Sequence, residues 1–477
     1  MRLFYNPLRN MWHRRFRLCT FLFAAILLSF TQPLLAAPCD LILSARYVIT
    51  MSNPGVIRDG AIAIRGERIV GVGPRAQIDR AWQARRRIDR GEAILAPGLI
   101  NTHTHAAMSL FRGIADDLNL QDWLQHYIFP AEAKNVSPDF VRWGTRLACL
   151  EMMLSGTTTF TDMYYFEDVV AEATKEAGMR GVLGETVIGF PVADAKTPAA
   201  SLALTEKFLQ RFRDDPLIVP AVAPHSMYTN DEQTLRASRA LANRYNAPAL
   251  IHLSETKKEN DDSFAKYHRS PTAFLDSIGF LQGRTIAAHC VWVDDADMKI
   301  IAARHTGMAH CPSSNMKLAS GAAPVVAWLA HGIAAGLGTD GPAGSNNDFD
   351  LFEEMDLAAK LQKLESRNPR ALPAKQALEM ATLGGARALG LDREIGSLET
   401  GKRADIITVD LTAPNAVPIY DAYSQMVYAL KGSNVSGVVV NGREIVRDGH
   451  SLTLDSSAVI AKAREYGLRV AQSVATH

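Results

Sequence analysis

Two histidines separated by one residue close an apolar run near residue 100. The run PGLINTHTH ends with His103 and His105, and residues i and i+2 of a β-strand point to the same side. Two neutral imidazoles on one face can bind a metal ion, because histidine is the commonest metal ligand. Two unrelated surface histidines would give the same short pattern, so the interpretation depends on further ligands downstream.

Further candidate ligands stand at the ends of three later apolar runs. ALIHLSET contains His252 and Glu255, IAAHCVW contains His289, and GLGTDG contains Asp340. Taken singly, His252 could be a buried core histidine and Asp340 a helix cap. Three histidines and an aspartate at the ends of similar runs are an arrangement that core packing alone would rarely deliver, and they predict a metal centre.

The elements that must position these side chains follow a repeating pattern. Eight short apolar runs alternate with amphipathic stretches, which is typical of a parallel (β/α)8 barrel. A doubly wound sheet is the alternative, but it rarely needs eight such units. In a barrel the candidate ligands would meet at the C-terminal rim, where active sites lie. The runs are AILAPGLINTHTH, TTTFTDM, MRGVLGETV, LIVPAVAPHS, APALIHLSET, TIAAHCVWV, GMAHCPSSN and IAAGLGTDG.

The two flanks of the barrel region share a different pattern. DLILSARYVITM and GAIAIRGERIVGVG precede it, and RADIITVDL and GVVVNGREIVRDG follow it. All four alternate in β fashion around glycine turns. We therefore expect a small β-sandwich domain built from both ends of the chain. Its first part should span residues 38–96, the barrel 97–400, and its second part, with a C-terminal helix, 401–477.

The first 37 residues have the three-part organisation of a secretory signal peptide. An arginine-rich segment is followed by the apolar run LCTFLFAAILLSF and by small residues in TQPLLAAPCD. The apolar run is short for a membrane span, although an uncleaved N-terminal anchor is the alternative. We expect an exported protein, periplasmic or secreted, without stable membrane association after cleavage.

Composition and charge narrow the classes of partner. The 477 residues are 47% hydrophobic and 21% charged, with a formal net charge of +1. An ordinary globular balance of this kind gives no reason to expect a nucleic acid or an anionic membrane as partner; a small-molecule substrate is expected, and a homo-oligomer stays an open alternative. The five cysteines show no CxxC spacing, so Cys290 and Cys311 are expected to be buried free thiols.

The order of the candidate ligands resembles the amidohydrolase superfamily. That superfamily carries HxH on the first barrel strand, histidines on the fifth and sixth, and an aspartate on the eighth, together with a split β-sandwich. HTHAAMSLFRGIADDLNLQDWL, SGTTTFTDMY, HCPSSNMKLASG and SNNDFDLFEEMDLAAKLQK look like the methylthioadenosine/S-adenosylhomocysteine deaminases, whose group also contains triazine hydrolases. The resemblance covers nearly all of residues 40–450.

The resemblance implies a metal-dependent aminohydrolase that acts on C–N bonds other than peptide bonds. Two-metal relatives usually carry a bridging lysine after strand four, where this chain has VAPHSMYT, so a single divalent metal is expected, zinc with iron or manganese as alternatives. A catalytic zinc lowers the pKa of its bound water to about 7. The implied metal ligands are His103, His105, His252 and Asp340.

Three residues are expected to handle protons and to orient the reacting water. Asp340 can touch both metal and water, so it is expected to accept the water's proton. Glu255, three residues after a ligand, is expected to contact the substrate, to protonate a ring nitrogen and then to protonate the leaving amine. His289 is expected to orient the hydroxide or the tetrahedral intermediate. A surface carboxylate in HLSETKKEN is the alternative interpretation of Glu255.

Two further residues match substrate contacts of the adenosine deaminases in this group. Glu132 matches the glutamate of their Pro-x-Glu segment, which holds the ribose hydroxyls, and His225 matches the histidine that contacts the purine. An ionised carboxylate that accepts two hydroxyl donors is a sensible diol clamp. Both residues could instead be structural.

The expected reaction is therefore hydrolytic deamination of an adenine nucleoside such as 5'-methylthioadenosine, with release of ammonia. S-Adenosylhomocysteine is expected to be the poorer substrate, because the stretch VLGETVIGFPVADAKTPAASLAL has no arginine to bind its carboxylate. Glu185 in that stretch would repel the carboxylate, and Lys196 is the one candidate replacement cation. The alternatives are a hydrolase of another amino- or chloro-substituted ring, of triazine, pterin or guanine type, and a catalytically inactive binding protein.

Overall fold

The computed structural model describes Met1 and residues 36–474 of the chain. The predicted signal peptide, residues 1–37, and the alternative N-terminal anchor therefore lie almost wholly outside the described residues. Within the described part, no helix is long and apolar enough to cross a membrane.

Five strands precede the barrel, and their apolar residues alternate as the sequence predicts. Leu41 and Leu43 of the first strand join one hydrophobic cluster, whereas Ile42 joins another, because successive side chains of a strand point to opposite faces. Both faces of the sheet are therefore covered. The strands are β1 (Ala37–Ile49), β2 (Val56–Arg65), β3 (Arg68–Pro74), β4 (Trp82–Asp89) and β5 (Ala93–Pro97).

Eight parallel strands then close into a barrel, one for each of the eight predicted runs. The first barrel strand pairs with the eighth, Asn101 opposite Leu337, and the fourth pairs with the fifth. The predicted (β/α)8 barrel is confirmed. Its strands are β6 (Leu99–Thr104), β7 (Thr157–Tyr164), β8 (Arg180–Val187), β9 (Ile218–Pro224), β10 (Ala249–Leu253), β11 (Thr285–His289), β12 (Gly307–His310) and β13 (Ala335–Leu337).

Four strands after the barrel complete the small sheet. They are β14 (Ile406–Asp410), β15 (Val435–Val440), β16 (Arg443–Arg447) and β17 (His450–Ser451). β14 lies antiparallel to β5, so the two ends of the chain share one mixed sheet, ordered β17-β16-β15-β14-β5-β1-β2-β3 with β4 beside β1. The predicted β domain built from both ends is confirmed.

Helices surround the barrel strands, and several of them begin at side chains suited to that position. The helix Pro138–Leu154 starts with proline after Ser137, whose hydroxyl accepts a hydrogen bond from the amide of Phe140. Tyr466 of the C-terminal helix packs edge-on against Phe140. The α-helices are Arg75–Ala81, Leu120–Asp122, Phe129–Asn135, Pro138–Leu154, Glu167–Ala177, Pro198–Phe212, Glu232–Tyr245, Lys257–Tyr267, Pro271–Ser277, Asp295–Arg304, Pro312–Lys317, Val325–Ala330, Leu351–Glu365, Ala374–Glu379, Gly385–Ala388, Ala422–Ser424 and Ser456–Val474.

Short helical turns of other types complete the chain. Trp123–Ile128, Met380–Gly384 and Gln425–Ala429 are π-helical, and Ala106–Phe111, Pro414–Ala416 and Gly432–Asn434 are 3-10 turns. Cys290 and Cys311 are buried free thiols, as predicted.

Candidate active site

The predicted metal ligands meet at the C-terminal rim of the barrel. His103 lies in β6, His105 one residue beyond it, His252 in β10 and Asp340 just after β13, and all four are largely or wholly buried. The Oδ1 atom of Asp340 lies 3.3 Å from Nε2 of His103 and 3.4 Å from Nε2 of His105. The structure thus brings together residues that are far apart in sequence.

The backbone sets which ring nitrogen of each histidine faces the centre. Nδ1 of His105 lies 2.7 Å from the carbonyl oxygen of Met163, and Nδ1 of His252 lies 2.8 Å from that of His225. A carbonyl only accepts, so each Nδ1 carries the proton and donates it. The Nε2 atoms of His105 and His252, 3.4 Å apart, are therefore free to bind a metal.

These spacings fit a divalent metal ion. Metal–nitrogen bonds of about 2.0–2.1 Å in a tetrahedral site place neighbouring ligand atoms about 3.3–3.4 Å apart, and Nε2 of His103 is buried without a hydrogen-bond partner. Without a cation, a proton on a neighbouring histidine must offset the negative charge of the buried Asp340 carboxylate. Burial lowers the pKa of His103 to about 4, whereas hydrogen bonding and charge from Asp340 outweigh burial at His105 and raise its pKa to about 9.

Two residues after β12 hold the centre in place, and sequence reasoning assigned no role to either. The hydroxyl of Ser314 donates to Oδ2 of Asp340 at 2.6 Å, which leaves Oδ1 facing the histidines. Nδ1 of His289 lies 3.1 Å from the side-chain oxygen of Asn315, which directs Nε2 of His289 inward. The polar run HCPSSN after an apolar strand was the available signal.

The predicted acid, Glu255, lies beside the centre and is buried. Its Oε1 atom is 3.9 Å from Nε2 of His289. Burial raises the pKa of Glu255 above its usual range, which favours the protonated form of this carboxyl. His289 has a ligand atom within 4.8 Å of those of His103 and His252, so it is close enough to contact a metal or a water bound there.

A cavity extends from this centre, and the predicted substrate residues line it. Glu132 lies in its wall, where the phenol of Tyr164 donates to Oε1 at 2.7 Å and that of Tyr165 lies 3.5 Å from Oε2. Burial raises the pKa of Glu132 to about 7. The two tyrosines are functional candidates that sequence reasoning missed. The cavity is lined by His105, Met108, Leu120, Trp123, Leu124, Ile128, Phe129, Glu132, Met163, Tyr164, Tyr165, Thr186, His225, Tyr228, His252, Glu255, His289 and Asp340.

His225 forms part of the same wall as a neutral ring. Its centroid lies 4.5 Å from that of His252, and its Nδ1 is 3.2 Å from the hydroxyls of both Ser226 and Thr229. Burial lowers the pKa of His225 to about 3. A neutral imidazole that can donate or accept is suited to a contact with an uncharged heteroaromatic ring.

An outer cavity adjoins the first and shares Phe129, Glu132 and Tyr165 with it. Lys196 lines this outer cavity, and its ammonium donates to the carbonyl of Val192 at 3.3 Å. The remaining lining residues are Ala133, Phe190, Pro191, Val192 and Ala193.

The predicted repulsion by Glu185 is wrong. Thr186 lines the inner cavity, so its strand neighbour Glu185 points to the opposite side of β8. Oε2 of Glu185 accepts the amide of Glu167 at 3.0 Å. Burial, together with the charge of Asp194, raises the pKa of Glu185 well above its usual range, which favours the uncharged form of this side chain.

Comparison with known proteins gives the same architecture. The sequence profile of the amidohydrolase family matches residues 94–445. The chain is 44% identical over 435 residues to a 5-methylthioadenosine/S-adenosylhomocysteine deaminase of Thermodesulfovibrio yellowstonii, covering 91% of this chain and 99% of that one. A homologous deaminase of Syntrophus aciditrophicus is 46% identical over 418 residues, 88% and 94% of the two chains.

Solved structures of two enzymes resemble this chain along nearly its whole length. An adenosine deaminase from Xanthomonas campestris with bound zinc aligns with a TM-score of 0.90 and 40% identity, covering 92% of this chain and 100% of that one. A triazine hydrolase from Arthrobacter aurescens aligns with a TM-score of 0.83 and 25% identity, covering 90% and 99%.

Proposed function

This chain belongs to the amidohydrolase family, and from that membership we propose that it hydrolytically deaminates an adenine nucleoside such as 5'-methylthioadenosine. One observation carries the proposal: a single cavity has the donor cluster around Asp340 at one end and the buried carboxyl of Glu132 in its wall. The first can support attack of water on a ring, and the second can bind a sugar diol. The named activities of the relatives support the same reaction.

The donor cluster supplies the binding site for one divalent cation, which we propose to be zinc. A zinc ion bound there would lower the pKa of a water ligand to about 7 and so provide a nucleophile at neutral pH. The residues that would hold it are His103, His105, His252 and Asp340.

The protein's own side chains handle the protons. Water adds to the ring carbon that bears the amino group, so oxygen replaces nitrogen and ammonia leaves. Asp340, whose Oδ2 is held by Ser314, accepts a proton from the attacking water. Glu255 donates its proton to the adjacent ring nitrogen, then takes the remaining proton of the added hydroxyl as the carbonyl forms and delivers it to the departing amine. The proton held by Asp340 finally returns Glu255 to its protonated form. Nε2 of His289 faces Glu255 and orients the water.

The wall of the cavity supports the choice of a nucleoside. Glu132 in its ionised form accepts two hydroxyl donors, which suits the 2'- and 3'-hydroxyls of a ribose. The outer cavity begins at Glu132 and contains Phe129 and Val192. A ribose bound at Glu132 would direct its 5'-substituent into that space, where the apolar side chains of Phe129 and Val192 suit a methylthio group.

The proposal is tested by ammonia release from purified protein of measured metal content. We expect about one divalent metal per chain and faster ammonia release from methylthioadenosine and adenosine than from guanine or an aminotriazine. Full activity in metal-free protein would contradict the metal assignment. Release only from the ribose-free rings would support the alternative ring hydrolase, to which the triazine hydrolase is similar.

S-Adenosylhomocysteine should be the poorer nucleoside, even though Glu185 does not face the cavity. Lys196 is the one cation among the residues that line the outer cavity, and its ammonium is already bound to the carbonyl of Val192. A desolvated carboxylate with so little pairing loses charge-assisted hydrogen bonds. We therefore expect kcat/KM to be at least ~10-fold higher for methylthioadenosine than for S-adenosylhomocysteine. A factor of ten in kcat/KM corresponds to ~1.4 kcal/mol.

The variant Lys196→Met is the matched control for this expectation. It should lower the already weak turnover of S-adenosylhomocysteine and leave that of methylthioadenosine within about twofold. Equal kcat/KM for the two nucleosides in the wild-type enzyme would contradict the expected preference. If kcat/KM for the two nucleosides is equal in the wild type but not in Lys196→Met, then Lys196 binds the carboxylate of S-adenosylhomocysteine.

A further inference from the structure

The turn that carries Glu255 is held in an uncommon backbone conformation. β10 ends at Leu253, and the next residue, Ser254, has a φ of +48°. Side chains other than glycine rarely adopt this left-handed region, so a conformation of this kind persists only where its surroundings hold it. Glu255 follows directly, and this turn determines where its carboxyl enters the cavity.

A second glutamate, Glu259, holds this turn through both of its carboxylate oxygens. Oε1 accepts the amide of Ser254 at 3.0 Å, and Oε2 accepts the amide of Glu255 at 2.9 Å. The side chain is 5% exposed. Two parallel hydrogen bonds from consecutive amides to one buried carboxylate fix both the position and the orientation of the turn.

The position of Glu259 in its own helix makes this contact unusual. Thr256 caps the helix Lys257–Tyr267, and its hydroxyl accepts the amide of Glu259 at 3.2 Å. The Thr-x-x-Glu spacing is that of a capping box, in which the glutamate bonds back to the amide of the capping residue. Here the glutamate passes Thr256 and binds the two residues before it.

The residues that directly follow the neighbouring strand, β11, hold the opposite side of the turn. The amide of Trp292 donates to the carbonyl of Ser254 at 2.9 Å, and the amide of Cys290 donates to that of Leu253 at 3.0 Å. These contacts engage carbonyl groups only. Glu259 supplies the complementary restraint on the amide groups, and it does so at the residue that carries the acid.

We propose that Glu259 is a positioning residue that sets the placement of the Glu255 carboxyl relative to His289 and the substrate ring. The inference rests on the proposed role of Glu255 in proton transfer. Glu259 does not line the cavity that contains Glu255, so it acts through the backbone and not on the substrate. Proton delivery depends steeply on distance and direction, so loosening the turn should reduce turnover more than binding.

The chain offers a matched control on the helix Asp295–Arg304, which follows the next barrel strand, β11. Asp297 occupies the same third position of the helix Asp295–Arg304 and is 2% exposed. It forms an ordinary capping box, in which its Oδ2 accepts the amide of Asp294 at 3.4 Å. The hydroxyl of Ser270 donates to its other oxygen. Its contacts are structural and include no residue of the candidate site.

The test compares Glu259→Gln with Asp297→Asn in the full-length, metal-loaded protein. Glutamine has one acceptor oxygen, and its NH2 group would face an amide N–H, so one of the two bonds is lost. We expect kcat to fall at least ~10-fold in Glu259→Gln, with KM within about threefold and metal content unchanged. Both variants should lower the melting temperature by similar amounts, but Asp297→Asn should leave kcat within about twofold of the wild-type value. Equal values of kcat in the two variants would overturn the inference.

Amide hydrogen exchange of the segment around Ser254 and Glu255 gives a readout without substrate. It should be faster in Glu259→Gln than in the wild type, and unchanged in Asp297→Asn. If the wild type releases no ammonia from any nucleoside, the proposed function fails. The exchange measurement is independent of that result, and an unchanged exchange rate in Glu259→Gln would show that Glu259 does not restrain the turn. Glu259→Asp, a shorter carboxylate expected to show an intermediate kcat and exchange rate, replaces Glu259→Gln if the latter does not fold.

Discussion

Replacing Glu255 by glutamine should lower kcat for nucleoside deamination by roughly 10²-fold or more while the bound metal is retained. General acid–base catalysis by a positioned side chain commonly contributes ~10²–10⁴-fold. Glutamine keeps the shape of the side chain but cannot cycle a proton between water, ring nitrogen and leaving amine. Burial raises the pKa of the Glu255 carboxyl, which favours its proton-donating form, and glutamine has no such proton to donate.

The measurement is steady-state ammonia release alongside elemental analysis of the same preparation. Asp261→Asn is a suitable control, because Asp261 lies on the following helix but is exposed and forms an ion pair with Lys257. It should have wild-type kcat and wild-type metal content. Near-wild-type turnover in Glu255→Gln would remove Glu255 from the mechanism, and loss of metal in that variant would make its effect uninformative about proton transfer and point to a ligand role instead.

The barrel and its metal centre could be predicted from the sequence because both follow from local patterns. Each apolar run has strand length and ends in polar residues, and parallel strands of a closed barrel all end at one rim. His103, His252 and Asp340 therefore had to be neighbours once the eight strands were recognised. The mixed sheet could be predicted in the same way, since short apolar runs bounded by glycine turns stand on both flanks of the barrel region.

The direction of Glu185 could not be predicted, because β8 is buried on both faces. All eight of its residues are buried, so no alternation of apolar and polar residues indicates which face meets the cavity. One residue of register separates Glu185 from Thr186, and that step reverses the direction of the side chain.

The residues that form hydrogen bonds to the site residues could not be predicted, for a related reason. Ser314 reaches Asp340, and Tyr164 reaches Glu132, across gaps of 26 and 32 residues. Contacts of this kind depend on how the elements pack, and a single sequence contains no local signal for them. Glu259 differs, because the sequence does show its Thr-x-x-Glu spacing. That spacing, however, predicts an ordinary capping box and not hydrogen bonds to the amides of the preceding turn.

Glu132→Ala should lower kcat/KM for methylthioadenosine and adenosine at least ~100-fold and leave the turnover of a ribose-free ring within about threefold. Each hydrogen bond to a charged group contributes about 1.5–3 kcal/mol, and a ribose diol would lose two of them. The truncated site also leaves the phenol of Tyr164 without its carboxylate partner. Tyr164→Phe is therefore the control, because it removes that hydrogen bond but keeps the carboxylate that binds the diol.

The same carboxyl predicts a pH dependence that distinguishes nucleosides from bare rings. Burial raises the pKa of Glu132 to about 7, so the acceptor form predominates above that pH and the protonated form below it. KM for methylthioadenosine should therefore rise as the pH falls through about 7, and Glu132→Ala should abolish this dependence. A ribose-free ring should show neither effect. If Glu132→Ala turns over nucleosides like the wild type, Glu132 does not bind the ribose, and the deaminase proposal gives way to a hydrolase of other heteroaromatic rings.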